Sequence, residues 1–149
     1  MKKVSSIELL ARLDQLHPFM GHAVSFASEQ GFPDRILKNI ELCLEETLVN
    51  IFNYAYEENI VGYAEVECLF EDDVLIIKVS DSGLPFNPLA VNSPDVHTNM
   101  ANNRIGGYGI VLIKKLTDDV RYTRENDKNI LTLVFIKHDS PEKRPVSSF

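Results

Sequence analysis

The sequence predicts an α+β two-layer sandwich, with a mixed, mostly antiparallel sheet carrying helices on one face. Three observations predict it. Strand-like stretches come as two hairpins, each closed by a short polar turn. Helical stretches are grouped, two ahead of the first hairpin and one between the hairpins. The resulting order, (β)-α-α-β-β-loop-α-β-β, lacks the regular β-α alternation of a doubly wound parallel sheet.

Taken in order, Val4 to Leu10 fits a first strand or an extended lead-in. From Leu13 to Glu29, apolar residues recur at Leu13, Leu16, Met20, Val24 and Ala27, which is helical spacing. His17-Pro18 interrupts the pattern, so a firm helix is expected from Pro18, where proline suits a first turn. Gly31 ends it. Pro33 and Asp34 start a long second helix reaching about Glu57, with Ile36, Ile40, Leu44 and Leu48 on one face. Gly62 opens a half-buried strand in which Ala64, Val66, Cys68 and Phe70 alternate with Glu65, Glu67 and Leu69. Glu71-Asp72-Asp73 turns into Val74 to Val79, so apolar that it belongs at the centre of the sheet.

The chain then changes character. SDSGLPFNP is a polar loop punctuated by glycine and proline. Leu89 to Ile105 shows no sustained periodicity, and a loop of that length inside a small domain usually has a function. Gly106-Gly107-Tyr108-Gly109 closes it and leads into a short helix with Ile110, Ile113 and Leu116 inward. Asp118 to Arg124 and Ile130 to Ile136 form the second hairpin around Glu125-Asn126-Asp127-Lys128. Residues 1–138 are expected to form one domain, and 139–149, without periodicity, a disordered tail.

Composition narrows the function. A chain of 149 residues, 44% hydrophobic and 25% charged, matches one globular domain. A net charge of −7 argues against a surface built to bind nucleic acid or anionic membrane, though it allows docking on basic protein patches. The N-terminus has too short an apolar run for a signal peptide, and no run reaches the roughly 20 residues that span a bilayer. The expected compartment is the cytoplasm. Cys43 and Cys68 fall in apolar segments and read as reduced core thiols. His17, His22, His97 and His138 form no metal-ligand spacing and read as surface or packing residues.

Three short features carry candidate chemistry. On the second helix Glu46 and Asn50 are four residues apart and so share a face. After the central strand comes Asp81-Ser82-Gly83-Leu84-Pro85. A carboxylate at the edge of the core needs donors, such as the exocyclic amine of adenine, and Gly83 allows close backbone approach to a flat ring. An Asp that merely caps the strand end explains the segment equally well. Third, the glycines of GGYG open a helix as phosphate-binding loops do, or serve as a plain helix-entry turn. They complete neither a Rossmann fingerprint, since position 112 is Leu, nor a Walker A loop.

Together, Glu46/Asn50, DSGLP and GGYG resemble the three boxes of the Bergerat ATP-binding fold shared by gyrase, Hsp90, histidine kinases and MutL. Within that superfamily LEETLVNIFNYAY, DSGLPFNP, GGYGIVLIKKLTDDVRY and NILTLVF resemble the small anti-sigma-factor serine kinases, over roughly Ile36 to Ile136. Pro85 replaces the last glycine of the second box, as is usual in these kinases. Two departures are Tyr54, where many members have histidine, and Asn87, where many have aspartate.

The resemblance implies an ATP-dependent protein serine kinase that sequesters a sigma factor and phosphorylates an anti-anti-sigma protein on Ser or Thr. It implies ATP and Mg²⁺ as cofactors and a homodimer as the assembly. Glu46 is then the general base, with Glu45 its rival, and Asn50 holds Mg²⁺. Asp81 takes the adenine amine, with Gly83 and Pro85 beside the base and Thr132 completing that pocket. Gly106, Gly107 and Gly109 serve the phosphates, Asn53 faces the nucleotide, and Arg104 or Lys114 adds positive charge unless these cations are simply solvated. Two other readings fit the same residues: a partner-sequestering ATP-binding module without kinase activity, and a stand-alone histidine-kinase-like catalytic domain. No phosphoacceptor hairpin precedes the domain, which disfavours the last.

Overall fold

The computed structural model describes residues 1–90 and 106–137, with the backbone alone at 106–108. The elements are β1 (Lys3–Leu10), a 3-10 turn (Leu13–Gln15), α1 (Leu16–Glu29), α2 (Asp34–Tyr54), β2 (Tyr63–Glu71), β3 (Val74–Asp81), a second 3-10 turn (Pro88–Ala90), α3 (Gly106–Leu116), β4 (Asp119–Glu125) and β5 (Lys128–Ile136). The sheet runs β1-β2-β3-β5-β4, and each of its four pairings is antiparallel. The apolar β3 is central, as its composition requires. The fold is the expected α+β sandwich of Bergerat type.

Period-two alternation divides the sheet into two faces. Ala64, Val66 and Cys68 of β2, Leu75, Ile77 and Val79 of β3, and Leu131, Leu133 and Phe135 of β5 are buried beneath the helices. Facing them, α2 buries Ile36, Ile40, Leu44 and Leu48, the stripe expected from its four-residue spacing. Phe19 of α1 is completely buried in the same cluster. Each fully buried side chain of this size contributes about 1.5–3 kcal/mol before entropy is counted. The opposite face is open among the described residues. Val4, Leu69, Ile76 and Val134 lie in one row across it.

Both hairpins turn on residues with positive φ, Asp72 (54°) with Asp73 (65°) and Asn126 (52°) with Asp127 (64°). Asp and Asn tolerate that region, and two such residues give a turn whose twist matches the strands. Gly31, at φ 89°, ends α1, and the Lys137 ammonium donates to the Gln30 carbonyl there, where the last carbonyls lack helical partners.

Two element boundaries correct the sequence expectation. Helix α1 begins at Leu16, with Pro18 inside its first turn, and Leu13 is exposed in the preceding 3-10 turn. A first-turn N–H has no helical acceptor, so proline there costs nothing and need not mark the first residue. Helix α2 stops at Tyr54, because the Leu84 N–H takes the Ala55 carbonyl (2.8 Å) and the chain turns away. Residues 91–105, most of the expected loop, and the tail from 138 lie outside the described residues, as does Arg104. Among the described residues no helix is long and apolar enough to cross a membrane.

Candidate active site

One row of the sheet defines the site. On the helix-facing side Leu9, Ala64, Asp81, Asn129 and Arg124 are successive cross-strand partners. Just above Asp81 and Asn129 opens a cavity of about 570 Å³, part of it open to solvent. Helix α2 lines one wall with Thr47, Asn50, Ile51, Tyr54 and Ala55, positions that repeat on one helical face. Val79 and Leu131 form the floor, Ile110 and Ile113 of α3 face α2, and Leu84, Phe86 and Pro88 close the loop side. An apolar slot with a few convergent polar groups is the usual form of a small-ligand site, and this one suits a flat heteroaromatic ring.

Asp81 is the acid in this apolar wall and is only 6% exposed. Burial raises its pKa; the Asn129 and Gly83 hydrogen bonds and the Arg124 charge oppose that rise. Both donors go to one oxygen: Gly83 N–H at 2.8 Å and Asn129 Nδ2 at 3.0 Å reach Oδ1. Among the described residues no donor reaches Oδ2. A buried carboxylate oxygen left without a partner is costly, and a ligand amine removes that cost.

Gly83 has a different reason to be glycine from the one expected. A Cβ there would lie 2.2 Å from the Ala55 carbonyl oxygen, so the close approach is to the end of α2. The adjoining loop is held from the other side by Tyr56, whose hydroxyl accepts the Ser82 N–H (2.9 Å) and donates to the Tyr63 carbonyl.

At the other end, Glu46 stands one turn before Asn50 on α2, half-buried. A Cβ added to Gly109 would come within 2.5 Å of Glu46 Oε2, so the carboxylate rests against the first turns of α3. Burial, then the neighbouring Glu45 charge, raises the Glu46 pKa. Gly106 and Gly107 begin α3. The first N–H groups of a helix have no internal acceptors and favour anions. Asn50 lines the cavity between this end and Asp81. The residues therefore fit a nucleotide with base at Asp81 and phosphates toward α3. Magnesium keeps few protein ligands and takes its remaining oxygens from phosphate and water, so one carboxamide at Asn50 suits it.

Several expected residues fall elsewhere. Thr132 does not complete the base pocket. It pairs with Lys78 and Arg121 on the sheet face turned away from the helices. Its β5 neighbours Leu131 and Leu133 are buried, and alternation sends Thr132 outward. Asn53 is exposed on α2 and does not line the cavity. Pro85 is likewise exposed and off the lining. Lys114 is exposed in the last turn of α3, roughly 12 Å along the helix from its first residue. Cys43 and Cys68 are buried free thiols whose pKa burial pushes up to about 12, as inert core cysteines should be.

Sequence reasoning missed Asn129 and Tyr122. The signal was present: in NILTLVF, placing Leu131, Leu133 and Phe135 in the core puts Asn129 on their side and Thr132 on the other.

Comparison with known proteins identifies the family of the chain. Residues 9–135 match the histidine kinase-like ATPase domain family. The serine-protein kinase RsbW of Listeria monocytogenes serovar 1/2a is 27% identical over 125 residues, covering 81% of this chain and 80% of that protein. RsbW of Listeria innocua serovar 6a is 26% identical over 125 residues, with the same coverage. RsbW of a Bacillus cereus strain is 26% identical over 129 residues, covering 83% of this chain and 80% of that protein.

Proposed function

The chain belongs to the histidine kinase-like ATPase domain family, and on that premise we propose that it is an ATP-dependent protein serine kinase and anti-sigma factor. In this reading it acts in the cytoplasm, sequesters a sigma factor and phosphorylates an anti-anti-sigma protein on Ser or Thr. One observation carries the kinase reading: Glu46 and Asn50 share a face of α2, and the Glu46 carboxylate lies against Gly109 at the head of α3. The naming of the relatives as serine-protein kinases supports the same chemistry.

Bound ATP with Mg²⁺ supplies the phosphoryl group and neutralises its charge, leaving the protein to position and stabilise. Asp81 accepts the base amine through Oδ2, while Ile51, Ala55, Val79 and Leu131 exclude water from the ring faces. Asn50 presents its side-chain oxygen to the metal. The backbone N–H groups of Gly106, Gly107 and Gly109 face the phosphate end. Glu46 takes the proton of the incoming hydroxyl; a raised pKa makes it a better acceptor than an ordinary carboxylate. Homodimerisation, part of the same proposal, is supported by the uncovered row Val4, Leu69, Ile76 and Val134. A monomer in sedimentation equilibrium removes that part alone.

The test is incubation with γ-labelled ATP and candidate anti-anti-sigma proteins. Acid-stable label on a serine or threonine of one of them is the expected result. Tight ATP binding with no transfer to any candidate sinks the kinase reading and leaves a sequestering module.

A further inference from the structure

Asn129 has no unused hydrogen-bonding capacity. Its Oδ1 accepts from the Tyr122 hydroxyl (2.6 Å), Arg124 Nη1 (3.1 Å) and the Phe86 N–H (3.2 Å). Its Nδ2 donates to Asp81 Oδ1 (3.0 Å) and to the Leu84 carbonyl (2.8 Å). A carboxamide offers two donors and one oxygen acceptor, and all of them are engaged. Arg124 Nη1 also donates to the Gly83 carbonyl at 2.9 Å. The β4–β5 hairpin thus grips Gly83, Leu84 and Phe86 and one oxygen of Asp81.

We propose that Asn129, held in place by Tyr122 and Arg124, is a positioning residue of the nucleotide site: it fixes the Asp81 carboxylate so that Oδ2 alone is presented to the ligand, and it holds residues 83–86 as the loop wall of the cavity. The inference rests on the nucleotide-binding reading above. The amide fixes a polarity. Nδ2 can only donate, so Asp81 Oδ1 can only accept, and the carboxyl has no reason to hold a proton there. A ligand must then bring a donor, which selects an amino-substituted ring over one with a carbonyl at that position. Threonine or serine at 129 would span less of this network, and aspartate would invert its sign.

Inversion gives the test. In Asn129→Asp an oxygen replaces Nδ2 at 3.0 Å from Asp81 Oδ1. Two buried carboxyls so close share one proton until the pH is high enough to remove it. The charged and titratable groups around the pair are Arg124 from β4, the Tyr122 hydroxyl through Asn129, and Tyr56 after α2. Lys128, Glu65, Glu8 and Tyr63 border Asp81 from the neighbouring cavity, and Tyr54 of α2 lines the main cavity with the pair. ADP is titrated calorimetrically into wild type and variant between about pH 6 and pH 8.5, with melting followed alongside. Wild-type affinity is expected to be nearly flat. The variant should bind about tenfold or more weakly at the alkaline end and recover toward wild type at the acid end, where a shared proton restores the donor. A merely structural role gives a loss that follows melting temperature and not this pH profile.

If Asn129→Asp does not fold, Arg124→Met decides: about a tenfold loss of ADP affinity with little change in melting supports the proposal, and unchanged affinity overturns it. Wild-type affinity retained by Asn129→Asp at every pH also overturns it, while leaving the nucleotide reading intact. A wild type that fails to bind ADP overturns both.

Discussion

The two ends of the cavity are built differently. At the base end Asn129 makes five hydrogen bonds, Asp81 Oδ1 receives two, and Gly83 is pressed onto α2. At the reacting end, among the described residues, neither the Glu46 nor the Asn50 side chain forms a hydrogen bond. The base end is preorganised, so its groups contribute mainly to affinity. In the proposed kinase reading the reacting end is completed by what it binds, nucleotide on one side and acceptor hydroxyl on the other, so its groups would act mainly on rate. Each substitution below tests that division.

The largest effect belongs to Glu46→Gln. The change keeps shape and removes the base, so phosphoryl transfer should fall about 10²–10⁴-fold. ADP affinity should hold, because Glu46 lies off the cavity lining. Rapid-quench transfer assays and calorimetry separate the two quantities. Normal transfer would reassign the base; lost ADP binding would erase the division between the ends.

Asp81→Asn is the converse. Losing a charged acceptor for the ligand amine costs roughly 10–100-fold in ADP affinity. The unliganded protein should not suffer. The folded-state pKa of Asp81 is raised, so the folded chain holds that proton more tightly than the unfolded chain. The ionised form therefore costs stability at pH above the raised pKa; the cost fades as pH falls through that pKa and is gone below the unfolded value. Asparagine removes it, so the variant should melt at the same temperature or higher at about pH 8, with the gain shrinking toward acid. Unchanged ADP affinity would sink the base contact, and a lower melting temperature at alkaline pH would show that Asp81 is mainly structural.

The same division explains what was legible in the sequence. The core stripe Ile36, Ile40, Leu44 and Leu48, the central β3 and both hairpins follow from periodicity and turn chemistry, which are local. Glu46 and Asn50 were legible because helical spacing alone places them together. The base end was only half legible. Asp81 could be found from its position after an apolar strand, but its partners Arg124 and Asn129 lie on a hairpin far along the chain. Thr132 was placed in the base pocket by the family resemblance, and strand parity overrules it. Gly83 is a third kind of case. Its glycine was noticed, yet the neighbour that requires it, the Ala55 carbonyl, is fixed by tertiary packing.

Gly109→Ala tests the reacting end with less force. The new Cβ displaces the Glu46 carboxylate, which can swing because it ends a flexible chain. Alanine also suits a helix better than glycine by about 1 kcal/mol, so α3 should be no less stable. Misplacing the base should slow transfer about tenfold at unchanged or higher melting temperature. A transfer rate equal to wild type would mean that Glu46 reaches its working position without this contact.

The smallest effect is the most discriminating. Glu45 is exposed, and its charge adds to burial in raising the Glu46 pKa. A base works when deprotonated, so transfer should fall as pH drops through that pKa, at higher pH than for an ordinary carboxylate. Glu45→Gln removes the smaller of the two causes and leaves burial. The acid limb of the pH–rate profile should therefore move to lower pH, and on that limb the variant should be faster, by about twofold, with the plateau nearly unchanged. An unmoved limb would mean that Glu46 does not set it. If Glu45 were itself the base, the same variant would lose about 10²–10⁴-fold at every pH. One substitution thus separates neighbouring carboxylates that helix geometry already distinguishes: Glu46 meets Gly109, and Glu45 points to solvent.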